Sequence, residues 1–223
     1  MTTTLLSPPL HDLLSRLDAL APGQLLTLSL TREASRELLS TLTAERKGLF
    51  EWSPDTDGTA VTVEVARRDA AKGSPRGVFD ALAWDHDRLD ALERLAFAAR
   101  AANDLVTAKA HFDRFARGLL RHIGFEEDLL FPALESRMGF PPKAGPTAVM
   151  RAEHIEIRAA VEAVRSAIGD PSIDPLPLRQ RLHGALSPHN DKEEQVLYPM
   201  ADQCLSRAGA DDLVRRIQEY EAS

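Results

Sequence analysis

The sequence predicts an α+β chain of two domains, a small two-layer α/β sandwich followed by an up-down four-helix bundle. Three observations carry this. The first 70 residues alternate short helical and strand-like apolar patterns, whereas residues beyond about 78 read as helix almost throughout. Between them, Asp69–Gly77 has no periodic apolar residues and a run of small and turn-forming types, which marks a linker. Within the helical part, one stretch occurs twice, first as His122 to Pro132 and again as His189 to Pro199, both reading His-x-x-x-Glu-Glu-x-x-Leu-aromatic-Pro.

In the first domain, residues 1–70, Pro8-Pro9 precede a helical pattern with Leu10, Leu13, Leu14, Leu17 and Leu20 at spacings of three and four. Pro22-Gly23 predicts a turn and Leu25–Leu30 a short buried strand. Arg32–Arg46 reads as a second helix with Leu38, Leu39 and Leu42 on one side. Leu49–Trp52 follows as a strand, Asp55–Gly58 as a turn, and Thr59–Ala66 as a strand with Val61, Val63 and Val65 facing inward. The expected order is βαβαββ or αβαββ.

The second domain, residues 78–223, is expected to hold helices over Val78–Ala102, Val106–Arg137, Thr147–Ile168 and Leu176–Leu205, with a tail helix over Asp211–Tyr220. Breaks at Asn103-Asp104, Phe140–Pro146 and Gly169–Pro175 suit the short connections of an antiparallel bundle. Pro188 removes a helix hydrogen bond and predicts a kink or break just before His189.

Composition narrows the function classes. The chain of 223 residues has 34 acidic against 27 Lys and Arg residues and contains no basic block, which argues against nucleic acid or an anionic membrane as partner. Cys204 is its only cysteine, so an internal disulfide, a thiolate zinc cluster and a Cys-x-x-Cys redox pair are excluded, and a cytoplasmic location is expected. No apolar stretch reaches membrane-spanning length.

Residues four apart share a helix face, so His122 with Glu126 and His189 with Glu193 each pair an imidazole with a carboxylate. The repeat extends further, because Asp85-His86 corresponds to Glu153-His154 at almost the same offset. Each half is an αα-hairpin with one histidine on its first helix and a His-x-x-x-Glu pair on its second. Together they bring His86, His122, Glu126, His154, His189 and Glu193 to the bundle centre. Burying six such groups is costly unless they hold a metal. Imidazole and carboxylate donors without sulfur suit iron, manganese or zinc. If both carboxylates bridge, each of two ions has about four protein donors, and an octahedral ion keeps about two positions open.

The remaining polar residues are read more plainly. Glu127 and Glu194 point away from the ligand face and are expected to be solvated. Glu153 is divided between orienting a ligand and a surface role, and Asp90 is considered as an acceptor one turn beyond His86. His111 is too far along its helix to join His122, and His183 is expected to be exposed. Trp84, Phe97, Phe125, Phe131 and Tyr198 are assigned to core packing, as is Cys204.

Residues about 80–205, and in particular His122–Pro132, Met150–His154 and His189–Pro199, resemble the hemerythrin-like (HHE cation-binding) di-iron proteins, most closely their repair-of-iron-centres branch. The resemblance implies two iron ions held by the same six residues, and oxygen or nitric oxide as a small diatomic ligand, or peroxide. The oxygen carriers of this family use a fifth histidine one turn from His154, where this chain has Met150. The resemblance therefore implies a stress response or iron-centre maintenance rather than oxygen transport. A metal- or gas-sensing module signalling through residues 1–70, or an iron buffer, are the alternatives. The Pro8-Pro9 helix start, the Gly23–Leu26 segment and Gly48–Trp52 are similar to small sulfur-carrier-like α/β domains. The cysteine that such carriers place before the proline is replaced by Ser7, so a protein-interaction role is expected for this domain instead of sulfur relay.

Overall fold

The computed structural model describes residues 8–46, 48–57, 60–68, 77–141 and 144–220. Residues 1–7, where the βαβαββ reading would place its opening strand, and nearly all of the linker lie outside them. The chain divides into two compact units, Met1–Arg76 and Gly77–Ser223.

In the first unit the order is αβαββ: α1 (Leu10–Asp18), β1 (Leu25–Thr31), α2 (Arg32–Glu45), β2 (Phe50–Asp57) and β3 (Ala60–Arg67). The three strands form one antiparallel sheet in the order β1-β3-β2. Its register pairs Leu28 with Val63, Leu30 with Val61 and Trp52 with Val65. Val61, Val63 and Val65 therefore share one face of the sheet, and they pack with Leu13, Leu17, Leu38 and Leu42 of the two helices. The Thr31 hydroxyl caps α2 by accepting from the Ala34 N–H at 3.2 Å. The turn expected at Asp55–Gly58 is shorter than predicted. Pairing of Asp55 with Thr62 and of Asp57 with Ala60 continues the ladder, because the β3 backbone offers it partners to the end.

The second unit contains α3 (Val78–Ala101), α4 (Leu105–Phe125), α5 (Phe131–Met138), α6 (Pro146–Ala167), α7 (Leu176–Lys192), α8 (Tyr198–Cys204) and α9 (Arg207–Glu219). The helices expected over Val106–Arg137 and Leu176–Leu205 are each interrupted. A π-helical turn at Glu126–Leu130 joins α4 to α5, and another at Glu193–Leu197 joins α7 to α8. The cause is visible in the repeat. Pro132 and Pro199 have no N–H to give to the carbonyl four residues back, while Phe131 and Tyr198 donate to the carbonyls of Glu126 and Glu193, five residues back. The break expected at Pro188 does not occur, and α7 runs through it. Pro188 is exposed and the carbonyl four residues back belongs to Gly184, which is also exposed, so that carbonyl is open to solvent and does not depend on the missing donor. The tail helix begins earlier than expected, at Arg207, where the Ser206 hydroxyl caps it.

Two apolar clusters flank a polar layer. One contains Leu89, Phe112, Phe115, Ile123, Ile157 and Leu182, and the other contains Leu82, Phe125, Phe131, Met150, Leu197 and Tyr198. On each long helix the polar layer falls between the two clusters, as at Leu82, His86 and Leu89 on α3 or Met150, His154 and Ile157 on α6. Two close approaches tighten this arrangement. Asp202 of α8 accepts from the N–H groups of Val78 and Phe79, capping α3, and a Cβ on Gly77 would lie 2.5 Å from its carboxylate. Gly118 lets α4 approach α3, since a Cβ there would meet Leu89 at 2.7 Å.

Within the first of these clusters Phe112 lies about 15 Å along α4 from His122. Phe112→Ala is therefore expected to lower unfolding stability by about 3–5 kcal/mol while leaving metal content unchanged, as checked by denaturant titration beside metal analysis.

Candidate metal centre

All six residues singled out by the repeat converge in the polar layer, and each is buried, Glu126, His154 and Glu193 completely. They form two overlapping groups. His86 and His122 stand with Glu193, while His154 and His189 stand with Glu126 and Glu193. The Nε2 atoms of His86 and His122 lie 3.2 Å apart, and those of His154 and His189 also lie 3.2 Å apart.

The rings are oriented from behind by carboxylates. The Nδ1 of His86 meets Glu194 at 2.7 Å, and that of His122 meets Asp85 at 2.9 Å. The Nδ1 of His154 meets Glu127 at 2.8 Å, and that of His189 meets Glu153 at 3.0 Å. A carboxylate can only accept, so each Nδ1 carries a proton and each ring turns its Nε2 inward, where a neutral ring presents a lone pair. Three of these carboxylates have cations of their own: Arg88 beside Asp85, Arg158 beside Glu127 and Lys192 beside Glu153. The arrangement repeats between the halves of the bundle, with Asp85 and Glu153 just before the first-helix histidines and Glu127 and Glu194 just after the inner glutamates.

Glu127 and Glu194 are thus not simply solvated. The helix turns their oxygens towards the histidine of the neighbouring hairpin, a contact that single-helix geometry does not reveal. Glu153 takes the orienting role. Asp90 does not, since its side chain is exposed and Glu194 is the acceptor for His86. His111 and His183 stay outside both groups, and the Nε2 of His183 instead approaches Glu93 at 3.2 Å. Phe125 and Phe131 pack against the site, Phe125 on His122 and Phe131 stacked on His154. Cys204 ends α8, partly exposed.

Tyr198 corrects the assignment to core packing alone. It is fully buried, and its hydroxyl is 2.8 Å from Glu126 Oε1 and 3.0 Å from Glu193 Oε2. Five residues on a regular α-helix separate side chains by about 140°, which would hold Tyr198 off the ligand face. The π turn inserts the extra residue that brings it round. The detectable signal was the hydroxyl itself, present in one copy of a repeat whose other copy has Phe131.

The inner carboxylates bridge the two groups. Glu126 reaches His122 with Oε1 at 3.6 Å and His154 with Oε2 at 3.3 Å. Glu193 reaches His189 with Oε1 at 2.9 Å and His86 with Oε2 at 3.4 Å. Yet Glu126 Oε2 and Glu193 Oε1 are buried without a hydrogen bond. Two inward lone pairs at 3.2 Å, twice over, and two buried carboxylate oxygens without donors are unfavourable unless cations lie among them. An octahedral ion with bonds of about 2.1 Å holds neighbouring donors about 3 Å apart, the spacing seen here. The donor set fits two metal ions.

Protons substitute for metal in the free protein. Burial disfavours a charge on His86, but its contacts with Glu193 and Glu194 outweigh this and push its pKa up to about 10. Burial likewise opposes the Glu126 carboxylate, and His122 and His154 nevertheless hold its pKa well below the usual range. Burial and the charges of Glu126 and Glu193 raise the Tyr198 hydroxyl well above its ordinary value.

Two outcomes follow from this chemistry. Because the folded pKa of His86 is raised from 6.5 to about 10, its contribution to stability in the metal-free protein is complete below pH 6.5 and disappears as pH rises through about 10. The same proton competes with metal, so apparent metal affinity rises over that interval. Thermal melts and metal titrations between those limits check both directions. Separately, Asp85→Asn and Glu194→Gln are each expected to weaken metal binding about 10- to 100-fold by freeing a ring to rotate or change tautomer, as measured by competition with a chelator.

No curated protein and no solved structure matches the chain. Residues 78–201 match the Hemerythrin HHE cation binding domain, which covers more than half of the sequence and contains every residue of the site. With its histidine and glutamate clusters buried inside the matched region, the chain belongs to the hemerythrin HHE cation-binding family.

Proposed function

We propose that the second unit binds two iron ions through His86, His122, Glu126, His154, His189 and Glu193, and uses the centre to meet oxygen, nitric oxide or peroxide in a stress response or in iron-centre maintenance. The observation that supports it most is the pair of facing Nε2 atoms on each side of two bridging, donor-starved carboxylates. Charge points the same way. Six carboxylates surround the four imidazoles, three of the six are paired with Arg88, Arg158 and Lys192, and the remaining three negative charges call for cations. Divalent or trivalent iron answers both needs, and cation binding is the property of the family.

When bound, the two ions supply exchangeable coordination positions and one-electron redox chemistry. The chain's own part is to hold the donors still and to keep bulk water away. The outer carboxylates fix the rings, Glu126 and Glu193 span the two positions, and Phe125, Phe131, Leu130, Met150 and Leu197 form an apolar surround. That surround admits a small neutral molecule more readily than an ion. The branch with four histidines and two glutamates, rather than the five-histidine carriers, is the closer analogue, because Met150 is buried where a fifth imidazole would be. The first unit has a core of its own, and we assign it to contact with a protein partner, by which the state of the centre is passed on.

Purified protein is expected to contain two irons per chain. Glu126→Ala and Glu193→Ala are each expected to lose both, and nitric oxide added to the reduced protein anaerobically is expected to give a ferrous-nitrosyl spectrum. Unchanged metal content in the two variants, or an iron-loaded protein silent to nitric oxide, refutes the reading.

A further inference from the structure

The two halves of the centre repeat the same ligand types with a carboxylate behind each ring, and they differ at the position five after the inner glutamate. There one half has Phe131 and the other has Tyr198, each placed by a π turn. Phe131 lies nearly parallel to the His154 ring, 13° from it, and contributes no polar atom. Tyr198 places its oxygen 2.8 Å from Glu126 Oε1, 3.0 Å from Glu193 Oε2, 3.2 Å from His122 Nε2 and 3.3 Å from His86 Nε2. Those four atoms are the inward donors on the His86 and His122 side.

A phenol has one hydrogen to donate, so only one of the two carboxylate contacts is a hydrogen bond at a time, and its oxygen accepts from a ring nitrogen only where that ring carries a second proton. The set of distances has a simpler geometric reading. Around an octahedral ion with bonds of about 2.1 Å, each donor lies about 3 Å from its four neighbours. The Tyr198 oxygen stands at about that distance from all four atoms at once. On the opposite side the four donors are His154 Nε2, His189 Nε2, Glu126 Oε2 and Glu193 Oε1, and the residue that corresponds to Tyr198 there, Phe131, has no donor atom.

Resting on the two-metal reading above, we propose that Tyr198 is a metal ligand, binding through its phenolate oxygen to the ion held by His86 and His122, and that the exchangeable position for a small ligand consequently belongs to the ion held by His154 and His189. The step is a proton-for-metal exchange. The phenol O–H bond breaks, an oxygen–metal bond forms, and one proton leaves to solvent without any change of oxidation state. In the metal-free protein the same oxygen remains protonated and hydrogen-bonds Glu126 or Glu193. A cation among the donors reverses that preference, as it does for any coordinated acidic group. The two ions then have five and four protein donors, so they are inequivalent although the helices that carry them are repeats.

The chain has two tyrosines, which makes the test clean. The full-length protein loaded with ferric iron is examined by visible absorption and resonance Raman spectroscopy, with iron counted in the same samples. A phenolate-to-iron charge-transfer band with its phenolate vibrations is expected in the wild type. It should be absent from Tyr198→Phe and unchanged in Tyr220→Phe, whose lost hydroxyl bonds Asp128 at 2.6 Å. If Tyr198→Phe fails to hold iron, the wild type and Tyr220→Phe still decide, since a signature surviving loss of Tyr220 can come only from Tyr198. Two irons in the wild type without the signature overturn the ligand assignment while leaving the two-metal reading standing. Fewer than two irons overturn both. Azide locates the exchangeable position: Phe131→Tyr, which offers a fifth donor to the second ion, is expected to bind azide about tenfold more weakly or worse. Azide affinity equal to that of the wild type overturns that placement.

Discussion

The structure depends on turning four imidazoles inward. Each ring is held at its Nδ1 by a carboxylate on a neighbouring helix, and this contact leaves the Nε2 lone pair no direction but the centre. The carboxylates sit outside the layer that they control, partly exposed in three cases, and three of the four are steadied by Arg88, Arg158 or Lys192. Removing solvent from so many ionisable groups is unfavourable, and the bundle opposes it with an apolar cluster on either side. The polar layer is thus clamped by packing and oriented by hydrogen bonds. Neither alone would suffice, because packing does not choose a tautomer and hydrogen bonds do not exclude water.

The second constraint is the pair of π turns. In both copies of the repeat, the turn begins at the inner glutamate and ends just before the aromatic-Pro pair. A single residue added to the helical turn does two things. It absorbs the missing proline donor, so Pro132 and Pro199 fall in the first turn of a new α segment where no N–H is required. It also rotates the following aromatic residue onto the ligand face. Phe131 thereby covers His154, and Tyr198 places a hydroxyl among four donor atoms. A feature that looks like a helix defect sets what surrounds the site.

Repetition and its failures are both informative. Matching offsets carry the ligand histidines, the inner glutamates and the outer carboxylates from one hairpin to the other, so the scaffold treats two positions alike. The surroundings are nevertheless unlike: Phe131 in one half corresponds to Tyr198 in the other, and Glu127 has Arg158 beside it whereas Glu194 meets His86 and, among the described residues, has no Lys or Arg beside it. With Tyr198 as a proposed ligand, two metals bound on such a frame would differ in donor number and local charge, which would direct a small ligand to one of them.

The sequence by itself determined the two-domain α+β class, the αβαββ order as one of two readings, and the six convergent histidines and glutamates. These follow from periodicity and from a repeat whose spacing survives any detail of packing. It also placed Val61, Val63 and Val65 inward and kept His111 and His183 out of the site. Tertiary structure decided the rest. Glu127 and Glu194 became orienting groups because their partners lie on another hairpin, at separations of 27 and 108 residues, where spacing along one helix is silent. Pro188 did not break its helix because the affected carbonyl faces water. Tyr198 joined the site because a π turn replaced the α-helical period that sequence reasoning assumes, and only the folded backbone shows where that period changes.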